Sequence, residues 1–238
     1  MWKPMTGDHP PALPPFRLSA FPSLPYVAPF ATFMLLLELG RWLPAETPTF
    51  EVVRVTVLIL VLWLCSRSVI TLEAPHWFTS IALGIGVFAI WIAPDVLIPN
   101  WRESPFFQNG LTGRVEGTLS PTARSDPLVL TLRFERAVLL VPIIEELFWR
   151  AWLPRWIDRR DDFREIPLGS YSRASFLLTA LLFASEHGAV WDVGLAAGLL
   201  YNWWMRRTRK LGNLILAHAV TNACLSLYVL ARGRWEYW

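Results

Sequence analysis

Three short motifs break into otherwise apolar stretches of the chain. Glu145 and Glu146 adjoin, and Arg150 follows Glu146 by four residues. Phe183 and His187 are four apart, as are His218 and Asn222. On a helix, residues four apart share a face. Glu146 and Arg150 can therefore pair, while Glu145 is turned by about 100° from its neighbour. A charged side chain at the centre of a membrane helix costs roughly 2.5–3.5 kcal/mol, so ionisable residues there read as functional. Of the four histidines, His9 and His76 fall in or beside polar connections, and His187 and His218 fall in apolar stretches. Together the motifs hold a carboxylate or imidazole able to deprotonate water, and an imidazole and carboxamide able to hold an oxyanion. That is an inventory for hydrolysis. Singly, each motif also has a structural reading: an ion cluster, a packed histidine, or an asparagine joining helices.

The elements that must carry these residues are transmembrane rods. Of the 238 residues, 54% are apolar and 17% are Asp, Glu, Lys or Arg, against about a quarter charged in soluble domains. Mean hydropathy is +0.37. Disordered, collagen-like and disulfide-rich classes are excluded. Apolar segments lie at 25–43, 52–72, 77–98, 127–153, 173–190, 192–205 and 212–231. The expected fold is all-α, a polytopic transmembrane bundle of about seven spans. A membrane barrel would need alternation of period two, which the sequence lacks. Residues 1–24 are a Pro-rich lead-in, and 25–238 form one membrane domain with the motif-bearing spans in 127–231. Cys65 and Cys224 lie in apolar stretches without a CxxC partner and read as reduced, packed thiols.

Local signals refine the rods. Ser125 or Asp126 can cap the span at 127–153, Pro127 suits its first position, and Pro154 follows its end. Pro142 removes one helical hydrogen bond, leaving the Val138 carbonyl free and kinking the helix. Gly194 and Gly198, extended by Asn202, form a small-residue face for packing between spans. Trp235, Tyr237 and Trp238 read as an interfacial anchor. Arg155, Arg159 and Arg160, then Arg206, Arg207, Arg209 and Lys210, follow apolar spans as cytoplasmic loops do. This bias puts the N-terminus inside, and it accounts for the basic balance without nucleic acid. Arg54, Arg102, Arg133 and Arg136 then count with the outer segments. In this arrangement His187 and His218 differ in depth by about 14 Å, a gap to be closed by a shifted boundary of the 173–190 span or by helix tilt.

The ordered trio Glu145-Glu146-x-x-x-Arg150, Phe183-x-x-x-His187 and His218-x-x-x-Asn222 resembles the CAAX-protease and bacteriocin-processing (Abi) family of intramembrane endopeptidases. It is also similar to the CAAX-protease-related branch found in bacteria with exosortase sorting systems. The resemblance implies a multi-pass protease of the bacterial inner membrane. Glu145 would activate water with help from His187, and His218 and Asn222 would stabilise the oxyanion. Glu146 would pair with Arg150 to hold the geometry, and Phe183 would pack beneath the site. The family is often described as metalloproteases, and Glu145, His187 and His218 are ligand types that zinc or another divalent metal accepts. No HExxH motif is present, so metal-dependent and metal-free sites stay open. The implied partners are membrane lipid and a protein or peptide substrate. Rival readings are a proton- or ion-coupled carrier, since buried Glu and His serve relays, and a catalytically silent scaffold or immunity protein on the same fold. No internal repeat of the kind carriers show is evident.

Overall fold

The computed structural model describes residues 21–40, 42–43, 47–114, 117 and 119–238. Most of the Pro-rich lead-in thus lies outside the described residues. Among those described there are seven helices and no strand: α1 (Leu24–Leu39), α2 (Pro48–Ser66), α3 (Trp77–Leu97), α4 (127–158), α5 (Arg173–Ser185), α6 (Trp191–Thr208) and α7 (Leu211–Arg232). Each expected segment has its helix. By length and composition three of them, α2, α3 and α7, suffice to cross a membrane, and α1 and α5 are shorter apolar helices. Large apolar side chains face outward from these rods, among them Leu35, Val52, Leu60, Trp63, Ile85 and Leu182. An apolar outer face on this scale suits lipid, not water.

Helix α4 carries the acid motif, and prolines shape it. Asp126 caps it, its carboxylate accepting from the amides of Leu128 (2.9 Å) and Val129 (3.2 Å), and Pro127 takes the first turn. Two π turns follow, Arg136–Leu140 and Leu147–Trp152, and each ends just ahead of a proline, Pro142 or Pro154. A widened turn gives the proline ring room against the preceding carbonyls, so the helix continues where an α turn would clash. Two expectations are corrected by this. The helix does not stop before Pro154 but runs on to Asp158. The carbonyl left without an amide partner by Pro142 is that of Ala137, not Val138. Within the π turn the Val141 amide bonds to Arg136, so Ala137 would need the amide that Pro142 lacks.

Packing then assembles the bundle. Thr221 of α7 donates to the Gly84 carbonyl of α3 at 2.9 Å, and Trp204 of α6 donates to Ser80 of α3 at 3.2 Å. Asp158, at the end of α4, accepts from the Ser172 amide (3.0 Å) and from the Ser172 and Ser175 hydroxyls (2.6 and 3.0 Å), fixing the start of α5. Gly198 seats α6 on α5, since a Cβ there would lie 3.2 Å from the Ala180 carbonyl. Arg54 and Arg136 are not loop charges. Both are buried between α2 and α4 on Glu51. The C-terminal turn is tied back to the bundle: Trp238 donates to Ser226 of α7 at 3.1 Å and Tyr237 to Asp95 of α3 at 2.7 Å. Burial and the hydrogen bond to Asp95 push the Tyr237 phenol above its usual range, so it remains a donor at neutral pH.

Candidate active site

Glu145 and Glu146 end the short α-helical piece Val141–Glu146 between the two π turns. Their surroundings differ sharply. The Glu146 carboxylate is fully buried, and its Oε1 accepts from Arg150 Nη1 at 3.1 Å and meets His218 Nδ1 at 2.7 Å. Arg150 is itself held on several sides. Its Nε donates to Asn202 at 3.3 Å, and its guanidinium lies 4.2 Å from the Phe183 ring centroid and 5.4 Å from that of Tyr201. Asn202 in turn donates to the Phe176 carbonyl (2.8 Å) and the Thr179 hydroxyl (2.9 Å) of α5. Glu145 has no hydrogen bond to any described residue. The His218 imidazole stands near it, with Glu145 Oε2 3.9 Å from Nε2.

Hydrogen-bond partners set the tautomers of both imidazoles. His218 Nδ1 faces a carboxylate that can only accept, so it carries the proton and Nε2 offers its lone pair towards Glu145. The His218 ring also packs on Tyr201, with centroids 5.2 Å apart, and the Tyr201 hydroxyl donates to Thr221 at 2.8 Å. His187 Nδ1 lies 2.7 Å from the Phe183 carbonyl, which makes it the donor and leaves Nε2 open. That carbonyl is available because α5 ends at Ser185: the His187 amide turns back to Ala184 instead. The spacing of Phe183 and His187 thus works at a helix end and not within a helix, as the span at 173–190 implied. Phe183 itself packs 4.6 Å from the His187 ring and beneath Arg150.

The short α5 also removes the mismatch in depth. Its 13 residues make a rod of about 20 Å, well under the roughly 30 Å of a bilayer core. It therefore ends inside the bundle, and His187 enters from that end. A single cavity of about 240 Å³ is lined by Glu145, His187, His218 and Asn222 together. Asn222 donates through Nδ2 to the Ala137 carbonyl at 2.8 Å, capping the group that Pro142 orphans. Its second amide hydrogen remains for the cavity.

The turn bearing His187 is gripped from outside. Arg102 donates to the Ala189 carbonyl at 3.2 Å, to Asp95 at 3.1 Å and to Asp192 in the first turn of α6. Trp101 adds a bond to Asp192 at 3.0 Å. From within, α6 leaves room for the ring at Gly194, where a Cβ would stand 3.2 Å from His187 Cβ and Cγ. Gly194→Ala is expected to keep the fold, because alanine favours the helix by up to about 1 kcal/mol. Turnover should drop roughly tenfold as the imidazole is pushed off its position. Parallel melting and cleavage assays check this, and unchanged turnover would mean that the ring tolerates the shift.

Several members of the site were not legible beforehand. Tyr201 and Thr221 gave no signal, and Asn202 was visible only as part of the small-residue face. Glu186 stands within electrostatic reach of Glu145, Arg150 and Glu146 but outside the cavity lining. As for a metal, both imidazoles hold the tautomer a ligand needs, with Nδ1 tied and Nε2 open. The donors nonetheless do not converge, since among the described residues no three His, Cys, Asp or Glu side chains form a group able to hold an ion.

Residues 127–224 match the family model described as type II CAAX prenyl endopeptidase Rce1-like. The motif-bearing segment is similar to the CAAX-protease family. The match runs from Pro127, the first residue of α4, into α7 just past Asn222, and so takes in all three motifs. Searches of curated proteins and of solved structures found no match. The match and the apolar helices together support an integral membrane protein with protease activity in general.

Proposed function

We propose that this CAAX-protease relative hydrolyses a peptide bond of a membrane-associated polypeptide, using water activated by Glu145. The observation that supports this is the division of labour between adjacent acids: Glu146 is committed to Arg150 and His218, while Glu145 faces the cavity uncommitted. Water placed between Glu145 and His187 loses its proton to the carboxylate and attacks the carbonyl carbon. His218 and Asn222 stabilise the oxyanion: the carboxamide donates through its remaining hydrogen, and Glu145 hands the water's proton to His218 Nε2, which donates to the oxyanion with Glu146 balancing the imidazolium until the C–N bond breaks. The proton then passes to the leaving amine. No step passes through a metal, since the donors do not gather around one point. The protein resides in the bacterial inner membrane with its N-terminus cytoplasmic.

Single replacement of His187, His218 and Asn222 by Ala tests the proposal, with a co-expressed membrane-anchored substrate followed by mass shift. Each variant should remain folded and lose at least a hundredfold in processing. Normal processing in all three would discard the mechanism, and proton flux into liposomes that vanishes with them would favour a carrier. Exhaustive chelation with elemental analysis addresses the metal separately, and turnover should survive it.

A further inference from the structure

The reaction cavity is long, and the chain's own last turn stands across its far end. Along α7 the lining runs from His218 to Ser226, and along α4 from Glu145 back to Arg133. At 1.5 Å per residue these stretches span about 12 and 18 Å. The reacting groups occupy one end, and Tyr237 and Trp238 complete the lining. Trp238 donates to Ser226 at 3.1 Å, and its ring centroid lies 5.6 Å from the Arg133 guanidinium. Tyr237 donates to Asp95 at 2.7 Å, and its ring faces Tyr228, beyond Ser226 on α7. Backbone geometry brings the rings there. Gly233 takes φ +65° and caps α7, its amide donating to the Val229 carbonyl at 2.8 Å, so the chain turns back along the helix.

We propose that residues 235–238 form an autoinhibitory lid on the reaction cavity, latched by the bond from Tyr237 to Asp95. A cavity of about 240 Å³ is smaller than the roughly 300–1,000 Å³ of ordinary ligand sites, so a polypeptide enters only when the two rings swing away. The root of the lid stays fixed. Trp235 packs with Leu119, Ala123 and Val129, and the Arg124 guanidinium lies 5.2 Å from its ring centroid. The latch can also open without loosening the catalytic turn. Asp95 keeps Arg102 at 3.1 Å when Tyr237 leaves, and Arg102 keeps the Ala189 carbonyl beside His187. What the lid admits rests on the peptidase reading above. That the two rings cover the far end does not.

Two readouts on the full chain in phosphatidylcholine nanodiscs test this. The first needs no cleavage. Ser226→Cys, in a background of Cys65→Ala and Cys224→Ala, places one thiol under Trp238, and a charged methanethiosulfonate reagent labels it from water. Adding Tyr237→Phe should speed labelling at least tenfold. That change keeps the ring and leaves Asp95 paired with Arg102, so the bundle should hold. Trp238→Ala should speed labelling as well, because it removes the covering ring outright. The second readout is cleavage of a fluorogenic peptide below saturation, which Tyr237→Phe should raise at least threefold. Labelling unchanged by Tyr237→Phe would overturn the proposal, whatever cleavage does. Faster labelling with slower cleavage would make the turn part of the catalytic structure and overturn the autoinhibitory role. Faster labelling with no cleavage by the unaltered protein or by Tyr237→Phe would refute the peptidase reading and leave the covered cavity standing.

Discussion

Glu145→Gln is expected to lower turnover by about 10²–10⁴-fold, the usual contribution of a general base, with the melting temperature nearly unchanged. The second half of that expectation follows from the surroundings of this side chain. Glu145 accepts no hydrogen bond from a described residue, and the His218 imidazole stands 3.9 Å away. Glutamine has the same shape, so no cavity opens and no buried donor is stranded. The change removes only the ability to take a proton. A fluorogenic peptide cleaved in proteoliposomes, alongside thermal unfolding in detergent, checks both halves. A variant that melts normally and cleaves normally would refute Glu145 as the base.

Glu146→Ala is expected to behave in the opposite way, with loss of the fold as the main effect. Removing this carboxylate leaves the Arg150 guanidinium, 1% exposed, without its anion, and takes the partner from His218 Nδ1. Breaking a buried ion pair from one side costs about 3–5 kcal/mol, a large share of a total stability of roughly 5–15 kcal/mol. Poor yield and a sharply lowered melting temperature should result. The double variant Glu146→Leu with Arg150→Met separates stability from chemistry. An apolar pair of similar volume can replace a buried ion pair with little loss, so most of the stability should return. Activity should not, because His218 would have lost the acceptor that fixes its tautomer. If turnover returned with stability, Glu146 would be a structural residue only.

Both expectations turn on which of two adjacent acids is free, and local spacing goes only part of the way to that answer. That Glu146 can reach Arg150 follows from four residues on one helix, and the pair is found at 3.1 Å. That Glu146 also takes His218, 72 residues away, and so leaves Glu145 open, depends on how α7 lies against α4.

What the chain determined by itself was local. Apolar runs of sufficient length produced the helices, Asp126 and Pro127 started α4 where capping chemistry demands, and residues four apart met on one face. Even the π turns have a local cause, the two prolines that follow them. Tertiary structure decided the rest: that α5 stops inside the bundle, that Asn222 caps the Ala137 carbonyl, and that Arg54 and Arg136 converge on Glu51 and not in a loop. The physical reason lies in the solvent. In water an apolar stripe marks the inward face of a helix, but lipid is as apolar as leucine. The pattern that says a helix crosses the membrane therefore says little about which of its faces meets protein. Contacts between distant residues rest on close packing and a few buried hydrogen bonds, and these exist only once the rods have assembled.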